Sequence, residues 1–554
     1  MSLETDVLIV GAGPTGLLAA LMLHEQGLRV IVLDRRLERS QAPRAHAVNP
    51  RTLEICDAIG LSAQELRATG APREEAGHVR FLATLTGAQF GVLPYERQQD
   101  DVLDLTPFPL SNLAQPDFEA AIATRLGRCP RVALLRGCEW HSCTQDDSGV
   151  TTTAQLGGEA TTIRSQYLLG ADGAGSSVRD AIGVELEGLR DLQHHMMVHF
   201  EADLRPLIAE RPGMLHFIFQ PEFSCVLLGF DAARSWVLMH THDPSTETRE
   251  DYTPERCQQL VERALGTSLA HFRLRHVSPW SMCAEVANAY RAGRVFLIGD
   301  AAHRFPPTGG LGLNTGVVDA WNLAWKIAAT IRGDAGPALL DSYEAERRPV
   351  AQRNTQQSLT NSSRLLELFG ALYGPDPAGR AARMAAIEAD VNAFPEVAQA
   401  VTAQEPHFDS LDLQLGYRYV SAVLPGAEAA PDNDDISNFQ PCWALGAHVP
   451  HRWVETDGGR CSLLSLLDAY RFNLLLGPGA EDVEVPNGVA VLKWGKDCQD
   501  PASDWKSLTN LEPGGALLLR PDRHICARLP ATDLATSIEQ AHRIALGRGA
   551  EAST

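Results

Sequence analysis

Asp300 closes an apolar run of strand length, Val295-Phe296-Leu297-Ile298-Gly299-Asp300, and a loop rich in glycine and proline follows it through Pro307, Gly309, Gly310, Gly312, Leu313 and Asn314. Beyond the loop, Val317 to Ile331 reads as a long apolar helix that opens near Asn314-Thr315. A carboxylate at a strand end is thus set a short loop away from a helix N-terminus. Such a terminus carries unpaired N–H groups and about half a positive charge, which favours an anion or an electron-rich oxygen. The glycines let the backbone come close to whatever binds there. Taken alone, the stretch reads equally well as an ordinary strand–loop–helix connection.

Two distant stretches carry the same kind of chemistry. Asp6-Val7-Leu8-Ile9-Val10 reads as a buried strand, Gly11-Ala12-Gly13-Pro14-Thr15-Gly16 as a turn, Leu17 to Gln26 as a helix, and Arg29 to Leu33 as a second strand ending at Asp34. In this setting Gly11 permits the tight turn, Gly13 admits a pyrophosphate to the backbone, and Gly16 lets helix and strand pack. Asp34 would hold the hydroxyls of an adenosine ribose, which predicts dinucleotide binding without deciding between FAD and NAD. Arg35 and Arg36 stand next to that acid, where they serve either a phosphate or a solvated loop. In the other stretch, Gln166 to Gly170 runs into Ala171-Asp172-Gly173, and a helix with a serine cap and Arg179 one turn inside comes next.

These turns need a scaffold. At 554 residues the chain exceeds one core, so two or three domains are expected. The net charge of −21 (48 basic against 69 acidic) argues against nucleic acid or an anionic membrane as partner. No apolar run reaches spanning length, and the acidic N-terminus is not a signal peptide. Eleven cysteines without a CxxC pair point to reduced thiols, a cytoplasmic location and no structural zinc. Val79 to Leu82, Gln89 to Leu93, His216 to Phe219 and Trp236 to His240 read as strands. Asp341 to about Ala403 reads as helical, and Leu415 to Tyr419 as a strand. A Pro- and Asp-rich loop, 425–435, precedes a small α/β unit.

The fingerprint Gly11–Gly16 with Asp34, the Asp172-Gly173 turn with Arg179, and the Gly299-Asp300 turn occur in the order and at the separations of a known family. The chain resembles the single-component flavoprotein aromatic hydroxylases, in the branch of phenol, 2-hydroxybiphenyl and dichlorophenol hydroxylases. The resemblance implies an α/β fold with a Rossmann-like FAD-binding domain of the para-hydroxybenzoate hydroxylase type (1–75, 105–185 and 281–400). It also implies a β-rich substrate domain (76–104 and 186–280) and a thioredoxin-like C-terminal domain (436–554). Lacking a CxxC, that last domain is expected to be structural or a homodimer contact rather than redox-active. Gly11, Gly13, Gly16 and Asp34 would hold the ADP half of FAD, Arg44 its pyrophosphate, and Asp300 and Gln115 its ribityl region. Asp172-Gly173 would serve both FAD and NADH or NADPH. Pro307, Gly310, Gly312, Leu313 and Asn314 would border the isoalloxazine ring, where the helix N-terminus would stabilise the anionic reduced flavin.

The run Pro43-Arg44-Ala45-His46 through Arg51-Thr52-Leu53-Glu54 is similar to the hydroxybiphenyl and dichlorophenol hydroxylases, and implies that His46 deprotonates a phenol. Asn112 falls where that branch can carry an acid. The implied activity is hydroxylation of a small phenolic or related aromatic substrate by O2 and NAD(P)H through a flavin C4a-hydroperoxide. Rival readings are aromatic polyketide oxygenation, Baeyer–Villiger oxygenation, halogenation or reduction on the same fold, or a flavin-binding protein without turnover. Trp321 and Trp325 lie inside the predicted helix rather than in a halogenase WxWxIP segment.

Overall fold

In the computed structural model, residues 2–42, 44–480 and 482–549 are described; Pro43, first residue of the Pro-Arg-Ala-His run, lies outside them. The first sheet is ordered Arg291–Ala292, Val295–Leu297, Glu159–Gly170, Ser2–Val10, Val30–Asp34 and Val132–Arg136. From Val295–Leu297 onward every neighbouring pair is parallel. Val7 to Val10 and Val30 to Leu33 are buried throughout, as the continuous apolar runs of a parallel sheet covered on both faces require. The helix Pro14–Glu25 packs against both Gln115–Leu126 and Leu311–Ile331. Register sets Val10 beside Leu33 and Gly170, and Gly170 beside Leu297. Four strand ends are therefore level, and the three aspartate turns leave the sheet along one carboxyl edge, the edge at which parallel sheets bind ligands.

A second sheet runs His303–Arg304, Arg273–Ala287, Leu186–Glu201, Ser235–Thr241, Phe223–Asp231, Leu215–Gln220, His78–Leu82 and Gln89–Pro94. Met196, Val198, Phe200, Leu227, Trp236 and Leu238 alternate onto one face and form a core with residues of the helix Pro254–Leu265. Phe81, Phe217 and Phe219 face the other way, toward Leu368 and Leu372 of the helix Ala338–Tyr373. The last sheet, ordered Val489–Lys493, Phe472–Leu476, Ala516–Leu519 and Ile525–Leu529, joins one parallel pair to two antiparallel pairs in a thioredoxin-like core. Among the described residues, no helix is long and apolar enough to cross a membrane.

Two expectations are corrected. Leu415 to Tyr419 is not a strand: the helix Leu411–Leu415 ends there, and the aromatics that follow are buried side chains with one isolated bridge, Arg418 to Ala447. Their apolar character serves packing rather than a ladder. The long helix begins at Leu311, earlier than its glycines suggest, capped by Gly310 at φ 62°. Gly312, Leu313 and Asn314 thus belong to its first turn.

Candidate cofactor and substrate site

Each fingerprint glycine has its own reason. Gly11 stands at φ 110°, and a Cβ there would lie 2.1 Å from the Ala171 carbonyl oxygen. A Cβ on Gly16 would lie 2.1 Å from the Gly11 carbonyl oxygen. At Gly13 a Cβ would meet nothing within 4 Å, so this glycine faces open space. Gly13 is also the N-cap of Pro14–Glu25, and no side chain caps that helix. Free N–H groups beside an open glycine suit a pyrophosphate.

Asp34 is buried, and its carboxylate accepts from the Arg36 backbone N–H at 2.9 Å, from the Arg36 guanidinium Nε and Nη2 at 3.3 Å each, and from the Arg136 guanidinium at 3.4 Å. Those contacts fill the roughly four acceptor positions of a carboxylate, and the ones from the exposed Arg36 side chain are those that ribose hydroxyls would displace. Arg36, not Arg35, makes this contact; Arg35 is exposed. Asp172 accepts from Ser176 Oγ and, at 3.1 Å, from the Val178 N–H, so it braces its own turn, and burial raises its pKa. Gly173 sits at φ 87°. The buried Arg179 donates to the carbonyls of Ala174 (3.2 Å) and Ala301 (3.3 Å), tying this turn to the one at Asp300. Thr15 ties in the fingerprint: its Oγ1 would lie 2.9 Å from a Cβ at Gly299 and 2.5 Å from one at Gly316.

Asp300 is solvent-accessible yet crowded by protein, as a group at the bottom of a cleft is. Burial pushes its carboxyl up, opposed by His303, Arg44 and Arg304, and it has no side-chain hydrogen bond among the described residues. Arg44 is exposed within Coulombic reach of Asp300 and Glu119. Gln115 opens its helix half-buried, donating Nε2 to Glu119 at 2.8 Å. Pro307 is exposed, and its carbonyl accepts from the Gly310 N–H at 3.2 Å. No side chain caps the helix at Leu311, so the first-turn N–H groups of Gly312 and Leu313 are not taken by a cap. The Asn314 side chain is fully engaged elsewhere: it donates to the carbonyls of Ala47 and Gly310 (2.8 Å each) and accepts from Asn49 N–H (3.0 Å) and Thr52 Oγ1 (2.7 Å). Open space at Gly13, an unpaired cleft carboxylate and two uncapped helix starts on one sheet edge fit FAD.

His46 lies beside this edge. Ala47–Val48 pairs with Ser111–Asn112, and the Leu113 and Gln115 N–H groups donate to the carbonyls of His46 and Ala45. That ribbon brings His46 Nδ1 to 3.0 Å from Asn112 Oδ1. The amide oxygen only accepts, so Nδ1 carries the proton and Nε2 is left as the basic nitrogen. Burial lowers the His46 pKa to about 4, with Asn112 opposing. The second sheet closes in with Tyr95 (ring centroids 5.8 Å) and Phe230 (5.7 Å, edge-on). Sequence reasoning missed both aromatics, which join His46 only through tertiary folding.

Residues 4–358 match the family described as FAD binding domain, and residues 443–549 match the aromatic-ring hydroxylase C-terminal family. The chain is 32% identical to 2,4-dichlorophenol 6-monooxygenase of Delftia acidovorans, with 95% of each chain covered. It is 31% identical to tetracenomycin A2 monooxygenase-dioxygenase of Streptomyces glaucescens, covering 95% of this chain and 93% of that protein. Among solved structures, the flavin-dependent monooxygenase PieE, in complex with FAD and substrate, superposes with a TM-score of 0.90 at 30% identity, covering 99% of each chain. Aklavinone-11 hydroxylase, in a ternary complex with FAD and aklavinone, gives 0.81 at 29%, again covering 99% of each. With its cofactor edge, its second sheet and its C-terminal unit all matched along the whole length, this chain belongs to the FAD-dependent aromatic-ring hydroxylases.

Proposed function

We propose that the chain uses NADH or NADPH and O2 to place one hydroxyl on a phenolic ring held against His46. The observation that carries this reading is the His46–Asn112 pair, set between the cofactor edge and the aromatic wall of Tyr95 and Phe230. FAD, when bound, supplies electron transfer from the nicotinamide and activation of dioxygen. Gly11, Gly13, Gly16, Asp34, Arg35 and Arg44 would hold its ADP half, while Gln115, Asp172, Gly173 and Asp300 would hold its middle. Pro307, Gly310, Gly312 and Leu313 would border the ring, with Asn314 setting the position of that turn.

His46 Nε2 would accept a hydrogen bond from the substrate hydroxyl. A phenol near pKa 10 and an imidazole near 4 are about 6 units apart, roughly 8 kcal/mol uphill for full proton transfer. The proton therefore moves only as the ring gives electron density to the incoming oxygen, so His46 acts as a base within that step rather than before it. Tyr95 and Phe230 supply apolar contact to the ring and exclude water.

A polyketide-type aromatic is the second reading, favoured by the likeness to the tetracenomycin and aklavinone hydroxylases. Screening simple and fused-ring phenols for stimulated NAD(P)H oxidation, with product mass recorded, tests both. Gain of one oxygen atom on a phenol of either class supports hydroxylation, and the class that responds selects between the readings. Nicotinamide oxidation without any oxygenated product contradicts both.

A further inference from the structure

Asp319, at the middle of the helix Leu311–Ile331, is fully buried beneath the Asp300 turn. Its Oδ2 accepts from the Gly299 N–H (3.1 Å) and His303 Nε2 (2.7 Å), and its Oδ1 from Arg347 Nε (2.8 Å). Arg347, on Ala338–Tyr373, also donates to the Thr315 carbonyl and the Tyr419 hydroxyl, each at 3.2 Å. The Tyr419 ring has two guanidinium groups near it, that of Arg347 at 5.9 Å and that of Arg520 at 5.4 Å, and stacks on His524 at 3.9 Å. Arg520, at the end of the C-terminal strand Ala516–Leu519, clasps Glu346 at 2.6 and 2.9 Å and also contacts Asp522. Glu346 in turn receives Lys326 and Asn322, each at 2.7 Å. Asp319, Lys326, Glu346, Arg347, Arg520 and Asp522 are each no more than 2% exposed, and their three positive and three negative charges balance.

Six buried charges are a poor source of stability, because desolvation offsets their attraction and apolar replacements are often as stable. What forked guanidinium contacts do supply is fixed geometry. Here the contacts end on the backbone N–H just before Asp300 and on a carbonyl one turn into the helix whose uncapped start carries Gly312 and Leu313.

We propose that Asp319 and Arg347 are positioning residues for the cofactor, and that Arg520 extends their hold into the C-terminal domain, making that domain part of the flavin-binding unit. This rests on the reading that the Asp300 turn and the helix start at Leu311 hold FAD. FAD binding by the parent protein is therefore measured first, and a parent that binds none overturns both.

Two charge-balanced double variants of the full chain test it. Asp319→Asn with Arg347→Met removes one charge of each sign, as does Arg520→Met with Glu346→Gln. With the circular dichroism spectrum retained, the first pair is expected to weaken FAD binding about tenfold or more. It is also expected to shift the visible bands of the bound flavin and divert more nicotinamide oxidation to hydrogen peroxide. The second pair is expected to act in the same direction, about threefold. Should a pair fail to fold, Arg347→Lys, which keeps the charge and loses the fork, is read by the same three measurements with the same expectation. Parent-like FAD affinity, bands and coupling, even with a lowered melting temperature, would overturn the proposal and leave the cluster a purely structural one.

Discussion

His46 and Asn112, 66 residues apart in sequence, meet across a two-stranded ribbon, the imidazole Nδ1–H donating to the amide oxygen at 3.0 Å. Because the partner is neutral, its hydrogen bond opposes but does not overcome the burial that keeps the ring uncharged. The pair orients a base without making it a strong one. His46→Ala should leave FAD bound, since among the described residues no hydrogen bond joins this side chain to the aspartate turns, and should lower hydroxylation by about 10²-fold or more. Product formation at the parent rate, with coupling retained, would reject His46 as the base.

The same pair sets a pH dependence. His46 accepts a proton only when neutral, and its pKa is lowered to about 4, so turnover should stay level through the neutral range and fall as pH drops through about 4. Asn112→Asp places a carboxylate against Nδ1, which favours the imidazolium and should raise that limb by about 1–3 units. An unmoved limb in the pH profile of the variant would show that another group titrates.

The aromatic rings around these two residues mark where the sequence stops being legible. The three aspartate turns could be read directly, since each is a local strand–turn pattern whose glycines answer to backbone geometry, as Gly11 and Gly16 do. The second sheet was readable from the alternation around His216 and Trp236. Tyr95 and Phe230 were not, because aromatics in strands look alike whether they pack a core or face a histidine. The helix start was hidden by Gly312, which reads as loop although packing of Gly316 against Thr15 and Gly299 holds it helical. Tyr419 looked like strand because its contacts with two arginines depend on residues 72 and 101 positions away.

The fingerprint glycines should separate folding from binding. Gly11→Ala forces a left-handed φ on a residue with a Cβ, costing about 1–2 kcal/mol, and drives that Cβ into the Ala171 carbonyl. It should lower the melting temperature of the apoprotein. Gly13→Ala meets no protein atom, so the apoprotein should melt like the parent while FAD affinity falls by about tenfold or more. Thermal melts and FAD titration of the two variants decide this, and a parent-like affinity in Gly13→Ala would remove the pyrophosphate from that turn.

Asp300 gives the complementary test. Its carboxyl is raised by burial and lacks a hydrogen-bond partner among the described residues, so Asp300→Ala should leave the apoprotein as stable as before or more so. A charge-assisted hydrogen bond to the cofactor is worth about 1.5–3 kcal/mol, so FAD binding should weaken by roughly ten- to more than a hundredfold. A variant that melts earlier yet binds FAD normally would make Asp300 a structural residue.

On the proposed reading, one cofactor edge and one aromatic recess cooperate to put an oxygen atom from dioxygen onto a phenol. Turnover of the FAD-loaded protein with NAD(P)H, the phenol that most stimulates its oxidation, and isotopically labelled dioxygen tests this most directly. The expected result is a hydroxylated product carrying one labelled oxygen atom. Unlabelled product, or hydrogen peroxide with no product at all, would contradict it.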